Sequence, residues 1–190
     1  MESRTMKFEE RKLTEIAQPY FDSARAGDWE HALRVVKWVK ELGQNRNDLY
    51  LLITAAYIHD IGWSGVALKG KIDLDEMLKL EPAANENSSR LISEVLNQMQ
   101  FADSEIETVN RLVAAADKHQ SEQDDEAVIV DADNLSKLCI EHLEQKYQPE
   151  SFPKVIALWE DELSSRIKTQ KGQEIFPKLL SDLKQRALRN

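Results

Sequence analysis

Apolar residues recur at helical spacing along almost the whole chain, with polar breaks where helices should stop. The pattern predicts a first helix over roughly 6–24 that stops near Gly27. A second begins at Trp29 with Asp28 as its N-cap. It sets Ala32, Val35, Val36, Val39 and Leu42 on one stripe and ends at Gly43. Asn47 or Asp48 starts a third, Leu49 to Ile58, which is apolar on every side and therefore belongs at the centre of the fold. His59-Asp60-Ile61-Gly62 closes it, and Trp63 to Lys71, with Gly65 and Gly70, reads as a loop. A short helix near 73–80 follows, then one entering at Pro82 and reaching Met99. Asp103 or Ser104 caps a helix through Lys118-His119, and Asp124 or Asp125 starts one through Ile140. After Pro149, two amphipathic helices at about 151–170 and 173–188 are expected on the outside, with Pro177 restarting the last.

Composition supports the same reading. Six Gly and five Pro in 190 residues are few, which favours long helices over a many-stranded sheet. The expectation is an all-α helical bundle, with a main domain over 1–150 and C-terminal helices over 151–190 packed on it. A net charge of −9 gives no basic footprint for duplex nucleic acid. A single cysteine, Cys139, excludes an intramolecular disulfide and a multi-cysteine zinc site. It lies in Leu138-Cys139-Ile140 and reads as a small core residue. No segment is long and apolar enough for a signal peptide or a membrane span, so the expected location is cytoplasmic, without a membrane partner. A homodimer is compatible with all of this.

Charge in apolar surroundings marks the candidate chemistry. His59 and Asp60 end the most apolar helix, where a buried carboxylate needs compensation. The bland alternative is that Asp60 emerges into solvent or meets a lysine. Two more carboxylates interrupt the apolar run Val128-Ile129-Val130-Asp131-Ala132-Asp133-Asn134-Leu135. Two residues apart on a helix they point about 200° from each other, so at most one faces a shared site, and periodicity does not choose between them.

Three motifs in order then resemble the HD superfamily of metal-dependent phosphohydrolases: His31-Ala32-Leu33-Arg34-Val35, Ala55-Ala56-Tyr57-Ile58-His59-Asp60-Ile61-Gly62, and Val130-Asp131-Ala132-Asp133-Asn134-Leu135. The likeness covers about residues 29 to 140. It implies an HD-domain helical bundle and assigns His31, His59, Asp60 and Asp133 as metal ligands. Asp131 is left as an outer partner, a solvent-facing group or a cap. Two imidazoles and two carboxylates suit one divalent ion of Mn, Fe, Co, Ni, Zn or Mg, and no all-oxygen Ca²⁺ site. The implied activity is hydrolysis of a small phosphate ester, a nucleotide or related metabolite, by a metal-bound hydroxide, either as a phosphomonoesterase or as a phosphodiesterase.

Members with two metals carry extra histidines where this chain reads Ala84-Asn85-Glu86-Asn87-Ser88-Ser89, so one ion is expected. His119 matches another family position and is expected in the pocket as a phosphate donor or acid/base group. Asp60, His119 and Arg34 form the catalytic set, with Arg34 reaching a phosphate or a carboxylate. Lys118, Lys69 and Lys71 are weaker candidates to neutralise substrate, Asp117 and Glu86 to act as bases, and Trp63 to stack on a base. His142 reads as structural or exposed. The competing classes are a non-catalytic metal- or nucleotide-binding sensor module and an iron-dependent redox enzyme.

Overall fold

The structure, a computed structural model, describes residues 8–66 and 74–187. Lys69, Lys71 and the intervening part of the expected loop lie outside the described residues. Nine α-helices, and no strand, occur among them: α1 (Glu10–Phe21), α2 (Asp28–Leu42), α3 (Leu49–Ile58), α4 (Leu74–Gln98), α5 (Asp103–Lys118), α6 (Asp124–Ser136), α7 (Ile140–Lys146), α8 (Phe152–Arg166) and α9 (Gln170–Ala187). The fold is all-α, as the helical period predicts.

Helix α3 is the hub: Leu51 through Ile58 are all buried, which an all-round apolar segment requires. Around it α1, α2, α4, α5 and α6 build one continuous core, to which Val35, Val39, Leu52, Ile92, Leu96, Leu112 and Ile129 contribute fully buried side chains. A second core, with Leu135, Leu143, Trp159, Leu163 and Leu183, joins the end of α6 to α7, α8 and α9. Helix α6 therefore serves both.

Element boundaries differ from the sequence expectation in five places. Asp28 is the first residue of α2, not its cap. Gly27, at φ 74°, precedes it, and the Asp28 carboxylate accepts a hydrogen bond from the Arg25 backbone N–H. Pro82 lies inside α4, which runs unbroken from Leu74 to Gln98, and Pro177 likewise lies inside α9. A proline in a helix interior costs about 3 kcal/mol. Packing of Ala84, Leu91, Ile92 and Val95, all C-terminal to the proline in α4, outweighs it.

Helix α6 ends at Ser136, four residues early. The Ser136 hydroxyl donates to the Asp133 carbonyl, so the Lys137 N–H turns to Asn134 O instead. Cys139 falls in the ensuing turn and is only half-buried, not a core residue. The fifth difference is at Ile61–Trp63, which forms a buried 3₁₀ turn where a loop was expected.

That turn sits hard against α4. A Cβ on Gly62 would lie 2.3 Å from the Ala84 carbonyl oxygen, so only glycine permits the approach. Asn87 on α4 donates to the carbonyls of Gly62 and Ser64 and fixes the turn from the other side.

Candidate metal centre

Three helices deliver the ligand-type side chains. His31 lies in the first turns of α2, His59 and Asp60 follow the end of α3, and Asp133 sits in the last turn of α6. The structure brings His31, His59 and Asp133 together as a buried trio whose ligand atoms lie within 4.8 Å of one another. The His31 Nε2 is 3.1 Å from Asp133 Oδ1, and the His59 Nε2 is 3.9 Å from the same oxygen. Asp60 stands slightly outside the trio, its Oδ2 3.5 Å from His59 Nε2 and 3.9 Å from His31 Nε2.

The protons on the two imidazoles follow from their other neighbours. His59 Nδ1 lies 3.0 Å from the Ala56 carbonyl, which can only accept, so Nδ1 carries the hydrogen. Ser136 has one hydroxyl proton and gives it to the Asp133 carbonyl at 2.7 Å. Its oxygen, 3.1 Å from His31 Nδ1, must therefore accept from that nitrogen. In the neutral rings both Nε2 atoms are left as bare lone pairs. That of His59 is buried with no hydrogen-bond partner among the described residues, and that of His31 faces a carboxylate oxygen. Burial pushes the His31 pKa down to about 4, so a proton does not relieve the contact near neutral pH. Lone pairs and carboxylate oxygens converging without protons fit a bound divalent cation, and imidazole and carboxylate are the right donors for one.

Each carboxylate gives one oxygen to the imidazoles and has the other held by a cation. Asp60 Oδ1 takes Arg25 Nη2 at 2.7 Å, and Asp133 Oδ2 takes Lys137 Nζ at 2.7 Å. Burial alone would raise both carboxyls. Arg25 beside Asp60, and Lys137 beside Asp133, hold them well below the usual range. Arg25 is itself fixed by Asp28, which also pairs with Lys146, and its guanidinium lies 4.0 Å over the Trp63 ring.

These groups form the floor of a cavity of about 400 Å³, walled by α4, α5, α7 and α8. His119 lines it in a left-handed C-cap conformation, φ 53°, with Nδ1 3.7 Å from Asp133 Oδ2. Burial lowers its pKa to about 4. Asp117 lines it too, its pKa raised to about 7 by burial and by the facing Asp60 charge.

Other expected site residues fall elsewhere. Arg34 does not line the cavity; its guanidinium donates to His142 Nδ1 at 3.3 Å. Lys118 and Glu86 are exposed and outside the cavity lining. Trp63 lines the cavity, but Arg25 covers a face of its ring. His142 is buried and also borders the cavity, edge-on to His31 with ring centroids 4.9 Å apart. Asp131 is a cap: its carboxylate accepts from the backbone N–H groups of Lys168 and Thr169 and from the Thr169 hydroxyl.

Sequence reasoning missed Arg25, Asp28, Lys137 and Lys146, and the wall that α8 supplies through Trp159, Glu162 and Arg166. Lys137 had a signal, standing four residues after Asp133 and so on the same helix face. Arg25 and the α8 residues had none.

A family model described as HD-CE matches residues 13–168 of the chain. No curated protein and no solved structure was found to match it.

Proposed function

The chain belongs to the HD-CE family, and from that premise we propose that it is a metal-dependent phosphohydrolase acting on a small phosphate ester, with nucleotides as the leading candidates. The observation that carries the reading is the pair of buried Nε2 atoms of His31 and His59, free of hydrogen in the neutral rings and turned toward Asp133 on the floor of a cavity lined by both cations and carboxylates. His31, His59, Asp60 and Asp133 would hold one divalent ion. Such an ion supplies Lewis acidity toward a phosphoryl oxygen and toward water.

The rest falls to the protein's own side chains. Asp60 and Asp133 would give the ion anionic oxygens, which offset part of the cost of burying it. Arg25 and Lys137 hold those carboxylates in place and add positive potential where a phosphate would enter. Asp117, with a pKa raised to about 7, keeps a proton near neutral pH and is the group suited to passing it to a leaving alkoxide. His119, held neutral by burial, is suited to accepting a hydrogen bond instead. Walls of Trp159, Leu158 and Met77 exclude water from the organic part of the ester.

The test is turnover of a panel of phosphate esters by the full chain loaded with Mn²⁺, Ni²⁺ or Co²⁺, with bound metal measured alongside. His59→Ala is expected to lose metal and activity together. Turnover that persists undiminished after metal is stripped would overturn the reading, and tight nucleotide binding without turnover would transfer it to a sensor module.

A further inference from the structure

The cavity floor is already neutral before any metal arrives. Three carboxylates, Asp28, Asp60 and Asp133, meet three cations, Arg25, Lys137 and Lys146, within one buried network. The imidazoles of His31 and His59 add no charge when they ligate through Nε2. On the wall, Glu162 is matched by Arg166 at 2.5 Å, while Glu81, part-exposed on α4, adds its charge on the side of Asp117. Asp117 stands on the α5 wall of the cavity, where burial favours its neutral form. A divalent ion therefore raises the floor to about two positive charges, in a place where uncompensated charge is costly. A phosphodiester brings one negative charge, whereas a phosphomonoester near neutral pH brings up to two.

The cations also differ in freedom. Arg25 is locked between Asp60 and Asp28 and lies over Trp63, and Lys146 pairs with Asp28, which does not line the cavity. Lys137 holds one oxygen of Asp133 among the described residues, and an ammonium has three hydrogens to give. It borders the cavity one helical turn beyond Asp133, with its side chain 16% exposed.

Resting on the phosphohydrolase reading, we propose that the metal-loaded site selects a dianionic phosphoryl group, so that its substrates are phosphomonoesters, and that Lys137 donates to the phosphoryl oxygen carrying the second charge. Lys137 is then a specificity-determining residue that bridges a metal ligand and the substrate.

The probes are α,α-difluorobenzylphosphonate, a dianion near neutral pH that cannot be hydrolysed, and its monomethyl ester, a monoanion of similar shape. Their binding to the Ni²⁺-loaded full chain is measured by calorimetry, with bound nickel measured in the same samples. The dianion is expected to bind about tenfold or more tightly than the monoanion. Lys137→Gln should lose about tenfold in dianion affinity with the monoanion changed less than about twofold, and Lys137→Arg should retain most of the preference. Equal affinities, or tighter binding of the monoanion, in the unmutated protein overturn the proposal and leave phosphohydrolysis standing as a phosphodiesterase. Binding of neither anion while nickel stays bound overturns both. The comparison in the unmutated chain decides the question even if the Lys137 variants fold poorly.

Discussion

At the scale of single residues, a hydroxyl decides what His31 can do. Ser136 gives its proton to the Asp133 carbonyl and so takes one from His31 Nδ1, which turns a bare Nε2 toward the cluster. Outer hydrogen bonds of this kind orient imidazoles and raise their basicity, and removing one typically costs about 10–100-fold in metal affinity. Ser136→Ala should therefore keep its helical circular dichroism while its Ni²⁺ affinity, read by calorimetry, falls about tenfold. An unchanged affinity would mean that the tautomer is fixed by something else. The sequence displayed the His, His-Asp and Asp ligand types through their motifs, but not this proton accounting, because Ser136 looks like any polar helix residue until its partners are known. The alternation of Asp131 and Asp133 shows the same division. Periodicity requires that they face apart, and they do: Asp133 turns to the imidazoles, while Asp131 turns to the backbone between α8 and α9. Only the positions of α8 and α9 explain why a second buried carboxylate is tolerated there.

At the scale of elements, the helices were legible and several of their ends were not. Helix α3 stands where its unbroken apolar run puts it, because a segment with no polar face has nowhere to go but the centre. Pro82 and Pro177 misled, since local propensity favours a break and the tertiary packing of each helix overrides it. The 3₁₀ turn Ile61–Trp63 was hidden for the same reason: it exists because α4 presses on it, and α4 is distant in sequence. This contact also aims Asp60, which precedes the turn. Gly62→Ala would drive a Cβ to 2.3 Å from Ala84 O and 3.0 Å from Ser88 Cβ, so either the turn or α4 must shift. Overpacking of this kind costs about 1–3 kcal/mol. The variant is expected to melt several degrees lower and to bind Ni²⁺ more weakly, as Asp60 is displaced from His59. Weaker stability with metal affinity intact would show that Asp60 is positioned by Arg25 alone.

At the scale of the whole molecule, the site is a set of ionisable groups that folding holds away from their ordinary protonation, and stability should report it. His31 and His142 are buried neutral, the first with its pKa lowered to about 4 and the second well below its usual value, both by burial; His119 is lowered similarly but is a third exposed, so water weakens its share. Below about pH 6.5 the unfolded chain protonates these imidazoles and the folded one does not, so stability falls with falling pH from there toward 4. For a single imidazole fixed neutral, the loss by about pH 5 is roughly 2 kcal/mol. Two carboxyls pull the other way. Asp117, raised to about 7 by burial, and Asp131, also raised by burial, take up protons in the folded state sooner than in the unfolded, which favours the fold as pH drops through the same range. Asp60 and Asp133 are lowered, so their contribution disappears only under about pH 4. The three imidazoles outweigh the two carboxyls, and the metal-free protein should melt several degrees lower at about pH 5 than at about pH 7 when scanned in chelator. Loading with Ni²⁺ at about pH 7 should raise the melting temperature further, because the ion binds the folded cluster and not the unfolded chain. A chelated protein that melts no lower at the acid end would mean that these imidazoles are not held neutral, and the cluster would lose the feature that suits it to a cation.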